Sequence, residues 1–241
     1  LQPFLSIIIP AYNEELRITS TLEKVLSFLE AQEFESEIIV VENGSQDRTA
    51  ELVAQFQDMH PNLHLLRESR AGKGLAVRRG MLTARGDYRF ICDADLSMPI
   101  EEIHRFLPPQ LDSYDVAIAS REVSGAVRYD EPAYRHIIGR GFNYLVRFLT
   151  GLQIQDTQCG FKCFRAGIVE DLFHKQVIDG WTFDVEVLFI AQRRGYKIVE
   201  IPIPWYFHPG SRVRIVKDTF AMFCDIIRIR INAVRGIYAS D

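Results

Sequence analysis

Apolar and polar positions follow two rhythms along the first half of the chain. Short unbroken apolar runs at 5–10 (LSIIIP), 37–41 (EIIVV), 63–66, 88–92 (YRFIC) and 116–119 predict buried strands. Between them, 15–30, 46–56, 73–84 and 99–107 are expected as helices. In the first of these, Ile18, Leu22, Val25, Leu26 and Leu29 share one face. Ser45 is the expected N-cap of the second, Gly72 precedes the third, and Pro99 opens the fourth. Strands alternating with helices predict an α/β fold, a mostly parallel sheet with helices on both faces. Ligands of such sheets bind at the carboxyl ends of the strands.

The second half has a different texture. Residues 124–132 read as a loop, 134–149 as a long helix, and 153–164 as a turn between short strands. A helix at 183–194, a strand at 197–203 edged by prolines, and a last helix at 216–234 complete the chain, without internal repeat. The 241 residues suit one domain, with 1–120 and 121–241 as its two halves.

Composition adds exclusions. With 47% hydrophobic and 25% charged residues, the chain has enough apolar side chains to build a core, which excludes disorder as the main state. A net charge of −4 argues against nucleic acid as partner. Charge is uneven, however. Residues 1–60 carry 11 acids against 3 Lys and Arg, whereas 209–240 carry 6 Lys and Arg against 2 acids, which suggests a local anionic partner. Four cysteines without disulfide or zinc spacing are expected as buried small residues in a reducing compartment. No apolar run is long enough to cross a membrane, and no signal peptide pattern is present. Because the first residue is Leu1 rather than Met, an upstream segment is expected to have been trimmed.

Several polar clusters follow the predicted strands. Asp93-Ala94-Asp95 closes the fourth, and two hard carboxylates there suit Mg²⁺ or Mn²⁺ on a diphosphate; the alternative is a solvated turn that caps a helix. Glu42-Asn43-Gly44-Ser45 with Asp47 closes the second; an acid there suits a base or ribose hydroxyl, while Asn-Gly equally suits a capped tight turn. Lys73 between two glycines at a helix start suits an anion, although the Walker A spacing is missing. Arg121, Arg128, Arg135 and Arg140 form one basic group and Arg212, Arg214 and Lys217 another; each suits phosphate or a solvated face. Asp184 and Glu186 at the start of the 183–194 helix read as a general base, a sugar-hydroxyl clamp, or compensation of the helix dipole. The six histidines show no ligand spacing and are expected in surface or structural roles.

Taken in order, P-A-Y-N-E (10–14), V-E-N-G-S-x-D-x-T (41–49), G-K-G (72–74) and D-A-D (93–95) resemble a family-2 glycosyltransferase of the GT-A fold. A-S-R (119–121), D-T-Q-C-G-F-K (156–162) and W-x-F-D-V-E (181–186) are similar to the branch that charges polyprenyl phosphates. That branch includes the dolichyl-phosphate β-glucosyltransferases and, less closely, the dolichyl-phosphate mannose synthases. The chain departs from it in having Glu42-Asn43 where the family has Asp-Asp, and Ser97 where mannose synthases carry Gln.

The resemblance implies a metal-dependent inverting transfer of a hexose, glucose from UDP-glucose or mannose from GDP-mannose, to a polyprenyl phosphate. It places Pro10, Tyr12, Glu14, Glu42 and Asp47 around the base and ribose, and Lys73 near the nucleotide. Asp93 contacts ribose or the metal-bound diphosphate, Asp95 ligates the metal, and Gln158, Trp181 and Asp184 line the sugar site. Arg121, Arg135 and Arg140 face the acceptor phosphate, and Arg212 and Arg214 close over phosphates.

The last helix, with Phe220, Phe223, Ile226, Ile227, Val234 and Ile237 beside Lys217, Arg228, Arg230 and Arg235, suits either a core or an anionic membrane surface. Peripheral association with the cytoplasmic side of a membrane is expected, with the cytoplasm as the alternative location, and the sequence leaves open whether an anchor was removed. The competing readings are a family-2 glycosyltransferase acting on a saccharide hydroxyl, a nucleotidyltransferase, and a non-catalytic nucleotide-binding module. The acidic Asn13-Glu14 after the first strand speaks against the nucleotidyltransferase.

Overall fold

A computed structural model describes residues 2–208 and 215–239. Its first half follows the strand–helix alternation closely. β1 (Leu5–Ala11), β2 (Ser36–Asn43), β3 (Leu63–Glu68) and β4 (Tyr88–Cys92) run parallel, linked by α1 (Ile18–Glu30), α2 (Thr49–Met59) and α3 (Lys73–Thr83). Alternation within β1 feeds both faces of the sheet: Leu5, Ile7 and Ile9 join one buried cluster and Ile8 the other. On the first face Phe90, Phe106 and Phe161 meet edge to face, with ring centroids 4.5–5.7 Å apart. The segment expected as a helix at 99–107 is a 3-10 helix, Ile100–Phe106, rather than an α-helix.

The larger correction concerns the order of the sheet, β3-β2-β1-β4-β7-β5-β8. After β5 (Val116–Ser120) the chain forms a short strand, β6 (Val127–Tyr129), inside the expected loop, and then α4 (Ala133–Thr150). It re-enters the sheet at the edge where β4 ends, Phe161 opposite Cys92. From that entry point β7 (Phe161–Arg165) has to run antiparallel to both β4 and β5. Its N-terminal end, not its C-terminal end, therefore lies where the ligand belongs. That places the D-T-Q-C-G segment beside Asp93-Ala94-Asp95.

The chain continues through α5 (Ala166–Phe173), which the hydrophobic pattern did not separate, α6 (Phe183–Arg193) and β8 (Ile198–Pro202) to β9 (Pro204–Tyr206) and α7 (Ile215–Val234). β9 pairs with β6 in a small sheet, and the Tyr206 N–H donates to the Ser97 carbonyl at 2.7 Å, so this strand is tied to the loop after β4.

Cys92, Cys159 and Cys163 are buried, and burial pushes the Cys159 and Cys163 thiols up to about 12, as expected of inert packing residues. Cys224 departs from the expectation by being exposed. Among the described residues no helix is long and apolar enough to cross a membrane.

Candidate active site

The loops after β1 and β2 are zipped together by side chains of the two sequence motifs. Asn13 adopts φ 53°, which asparagine tolerates, and its N–H donates to Ser45 Oγ at 3.0 Å while its Oδ1 accepts from the Gln46 N–H at 2.8 Å. The Glu14 N–H reaches Thr49 Oγ1 at 2.7 Å, and Asp47 accepts from the N–H groups of Glu15 and Thr49. Three expectations change as a result. Ser45 does not cap α2; it holds the β1 loop. Glu42 accepts from the Ser45 N–H and closes its own turn. Asp47 fastens the two loops, and neither it nor Glu42 lines the cleft that these loops border.

That cleft has a volume of about 1120 Å³ and opens at the carboxyl ends of the parallel strands. Pro10, Tyr12, Glu14, Lys73, Asp93, Asp95, Gln158, Trp181 and Asp184 all line it, as do Arg121 and Arg135. Of the expected site residues, Glu42, Asp47 and Arg140 lie outside its lining, and Arg212 and Arg214 lie outside the described residues. Glu186, read with Asp184 as a base or clamp, is fully buried and does not line it either.

At its centre the Lys73 ammonium sits 2.6 Å from Asp93 Oδ1. Burial works to discharge Lys73, but the Asp93 and Asp184 carboxylates outweigh it and lift its pKa above the usual lysine range. Burial also raises Asp93, and Lys73 offsets only part of that effect. The helix start carrying Lys73 can approach closely because its neighbours are glycines: a Cβ on Gly72 would lie 2.6 Å from the Asp179 carbonyl, and one on Gly74 2.5 Å from that of Ile178. Gly160 is constrained more tightly still, since a Cβ there would fall 1.8 Å from Asp93 Oδ2.

Asp95 Oδ1 accepts from the Ser97 N–H at 3.0 Å, across a turn in which Leu96 takes φ 45°. Among the described residues, no group of three or more His, Cys, Asp or Glu could hold a metal ion alone. Two carboxylates at a cleft nevertheless fit a hard cation that completes its shell with substrate phosphates and water. Asp93 and Asp95 are the residues that would hold Mg²⁺ or Mn²⁺.

The other charges are largely paired. The Asp184 carboxylate lies 2.6 Å from the ammonium of Lys162, which is itself buried and also donates to the Cys159 carbonyl. Arg121 makes a two-pronged ion pair with Asp156, at 2.7 and 2.9 Å, and stacks over Trp205. Burial alone would raise Asp156, but Arg121 overcomes it and holds the carboxyl at about 2. Arg140 is taken by Glu122 at 2.7 Å, on the outer side of α4. Arg135 has no carboxylate within ion-pair distance among the described residues; its guanidinium lies over the Phe207 ring, 5.0 Å from the centroid.

Sequence reading missed Lys162 and Asp156, although both sit inside the D-T-Q-C-G-F-K segment it singled out. It also missed Arg17, Trp205, Phe207 and His208, which line the cleft from positions without a local motif.

With this geometry in place, the chain's relatives can be compared. The family model described as "Glycosyl transferase family 2" matches residues 6–173. The chain belongs to glycosyltransferase family 2. Proteins named dolichyl-phosphate beta-glucosyltransferase share 35% identity over 249 residues in Dictyostelium discoideum, covering 98% of this chain and 76% of that one. The Saccharomyces cerevisiae protein of that name shares 35% over 260 residues, covering 99% of this chain and 77% of that one. The human one shares 31% over 250 residues, covering 97% and 77%. Among solved structures, glucosyl-3-phosphoglycerate synthase from Mycobacterium tuberculosis, crystallised with Mn²⁺ and UDP-glucose, superposes with a TM-score of 0.65 at 18% identity. That match covers 95% of this chain and 78% of that one, and it shows the same fold. The family-2 motifs thus lie on the cleft walls or directly behind them.

Two predictions follow from the geometry. Gly160→Ala drives a methyl group into Asp93 and should abolish Mn²⁺-dependent nucleotide binding measured by calorimetry, while the far-UV circular dichroism stays native. The Asp156–Arg121 pair stabilises the fold fully above about pH 4, the unfolded carboxyl range, and loses that contribution as pH falls towards 2. Urea unfolding at pH 4.5 and 2.5 should therefore show a larger acid loss in wild type than in Asp156→Asn.

Proposed function

We propose that this protein transfers a glucose from UDP-glucose, with inversion, to the phosphate of a polyprenyl lipid at a membrane surface. The observation that carries this reading is the state of Asp184. An alcohol acceptor must surrender a proton to a base, and the cleft carboxylate placed for that task is already matched by the buried Lys162 ammonium at 2.6 Å. A phosphate monoester needs no such base, because its oxygen is anionic before it attacks. What it needs is a cation to orient it, and Arg135 is a cleft cation with no carboxylate at ion-pair distance among the described residues. The names of the dolichyl-phosphate beta-glucosyltransferases to which the chain is similar support the same sugar and the same acceptor class.

In this scheme the acceptor oxygen attacks the anomeric carbon from the face opposite the diphosphate. The bond from that carbon to the nucleotide breaks, and its electrons leave with UDP. A bound Mg²⁺ or Mn²⁺ supplies neutralisation of the charge that develops on the leaving diphosphate. Lys73 pairs with Asp93 at 2.6 Å and offsets part of the cost of its charge, and Trp181, its ring centroid 5.5 Å from the Lys73 ammonium, walls the same end of the cleft. Arg135 aims the acceptor phosphate, while Arg121, in the same cleft lining, stays held by Asp156.

A lipid acceptor also requires a surface. α4 and α7 pack together, and both supply cleft residues. Their outer faces expose Tyr134, Ile137, Tyr144 and Phe148 on α4, and Phe220, Phe223, Ile227 and Val234 on α7. Of the apolar α7 residues that suit either a core or a membrane surface, Ile226 is buried in the core. α4 carries no acid, and its Arg147 makes no ion pair among the described residues, which complements anionic headgroups. We assign the membrane contact to this pair of helices.

Arg135→Gln should raise the KM for a short polyprenyl phosphate roughly 10–100-fold, the cost of one charge-assisted contact, with the UDP-glucose KM unchanged. A rise confined to the donor KM would contradict the acceptor site. The double variant Phe148→Glu, Val234→Glu should lose at least about tenfold in affinity for anionic vesicles at low salt, given the apolar burial it forfeits. Unchanged vesicle affinity would remove these helices from the contact.

A further inference from the structure

Glu186 is fully buried and lies outside the cleft, yet it is bonded to the piece of chain that forms one cleft wall. Its Oε2 accepts from the N–H groups of both Val177 and Ile178, at 3.0 and 2.8 Å. Its Oε1 accepts from the Tyr238 hydroxyl at 2.5 Å, just beyond α7. A buried carboxylate bonded in this way to successive backbone N–H groups fixes a segment that has no strand or helix of its own.

The segment it fixes seats the donor end of the cleft. Gln176, also buried, donates from Nε2 to the carbonyls of Gly74 and Ile178, both at 2.9 Å. The Leu75 N–H donates to the Asp179 carbonyl at 3.2 Å. The Ile178 and Asp179 carbonyls are the same atoms against which Gly74 and Gly72 are packed without room for a Cβ. A shift of 177–179 therefore moves Lys73 on one side and Gly180-Trp181 on the other.

We propose that Glu186 is a positioning residue for nucleotide-sugar binding, acting through segment 176–181 on Lys73 and Trp181. This rests on the nucleotide-donor reading above. The sequence pairs Glu186 with Asp184 as though both served the reaction directly. The structure separates them: Asp184 faces the cleft and Glu186 holds the wall from behind.

The test is calorimetric titration of UDP with Mn²⁺, without acceptor, into wild type and variants whose melting temperature and circular dichroism confirm folding. Glu186→Ala should weaken UDP binding at least tenfold. Glu186→Gln should stay within threefold of wild type, because its amide oxygen can accept both N–H bonds and its NH₂ can donate to Tyr238. Tyr238→Phe should also stay within threefold, since it leaves both N–H bonds intact. Should Glu186→Ala fail to fold, Gln176→Met severs the same segment from Gly74 and should show the same weakening. Unchanged UDP affinity in a folded Glu186→Ala or Gln176→Met variant, with only the melting temperature lowered, overturns the proposal. So does a loss in Tyr238→Phe equal to that in Glu186→Ala, which would route the effect through α7. A wild-type protein that binds no UDP overturns the donor reading itself, a result distinct from either.

Discussion

A carboxylate at the end of a buried strand is unstable unless an opposite charge or a set of donors meets it. Asp93 closes β4 in just that position, and the surrounding structure is arranged around satisfying it. Lys73 reaches it from the first turn of α3, and α3 can bring that turn in because Gly72 and Gly74 let the helix lie against the 178–179 carbonyls. Gly160 leaves room on the other side, and it is there because β7 enters the sheet opposite the end of β4. The antiparallel strand, the glycine pair and the lysine are thus parts of one arrangement. Its product is a lysine-paired carboxylate beside Asp95 at the mouth of a cleft, a setting that suits a hard cation and a diphosphate.

Charge pairing around the rest of the cleft separates residues that bind from residues that build. Arg121, Arg128 and Arg140 all satisfy the sequence criterion for phosphate ligands, yet Asp156, Glu131 and Glu122 neutralise them in place. A guanidinium already bonded on two prongs to a buried carboxylate builds the wall of the cleft more than it offers a new contact. Arg135 also lies over an aromatic ring, Phe207, but has no carboxylate at ion-pair distance among the described residues. The same reasoning applied to the carboxylates sets Asp184, paired with Lys162, apart from a free general base.

The parallel half of the fold was legible because β1 to β4 are short apolar runs separated by helices of one amphipathic period. The antiparallel β7 was not: F-K-C-F-R carries no mark of its direction, which depends on where α4 returns the chain to the sheet. The 3-10 segment at 100–106 kept the residue pattern expected of an α-helix, and α5 followed β7 without a polar break to announce it. Site residues were legible where a motif lines the cleft directly, as with Asp93, Asp95, Lys73 and Tyr12. Glu42 and Asp47 belong to equally recognisable motifs but bind their own backbone, a choice that residue type does not reveal. Trp205, Phe207 and His208 reach the cleft from an edge strand and the loop after it, and only the packing of β9 beside Ser97 brings them there.

The account stands or falls on the chemistry of the acceptor. The decisive measurement is a competition in which the protein, UDP-glucose and Mn²⁺ meet a short polyprenyl phosphate, 3-phosphoglycerate and a neutral saccharide together, with products weighed by mass spectrometry. The account predicts one hexose added to the lipid phosphate and little mass gain elsewhere. A hexose found on the saccharide hydroxyl, with the lipid unmodified, would contradict it and return Asp184 to the role of base.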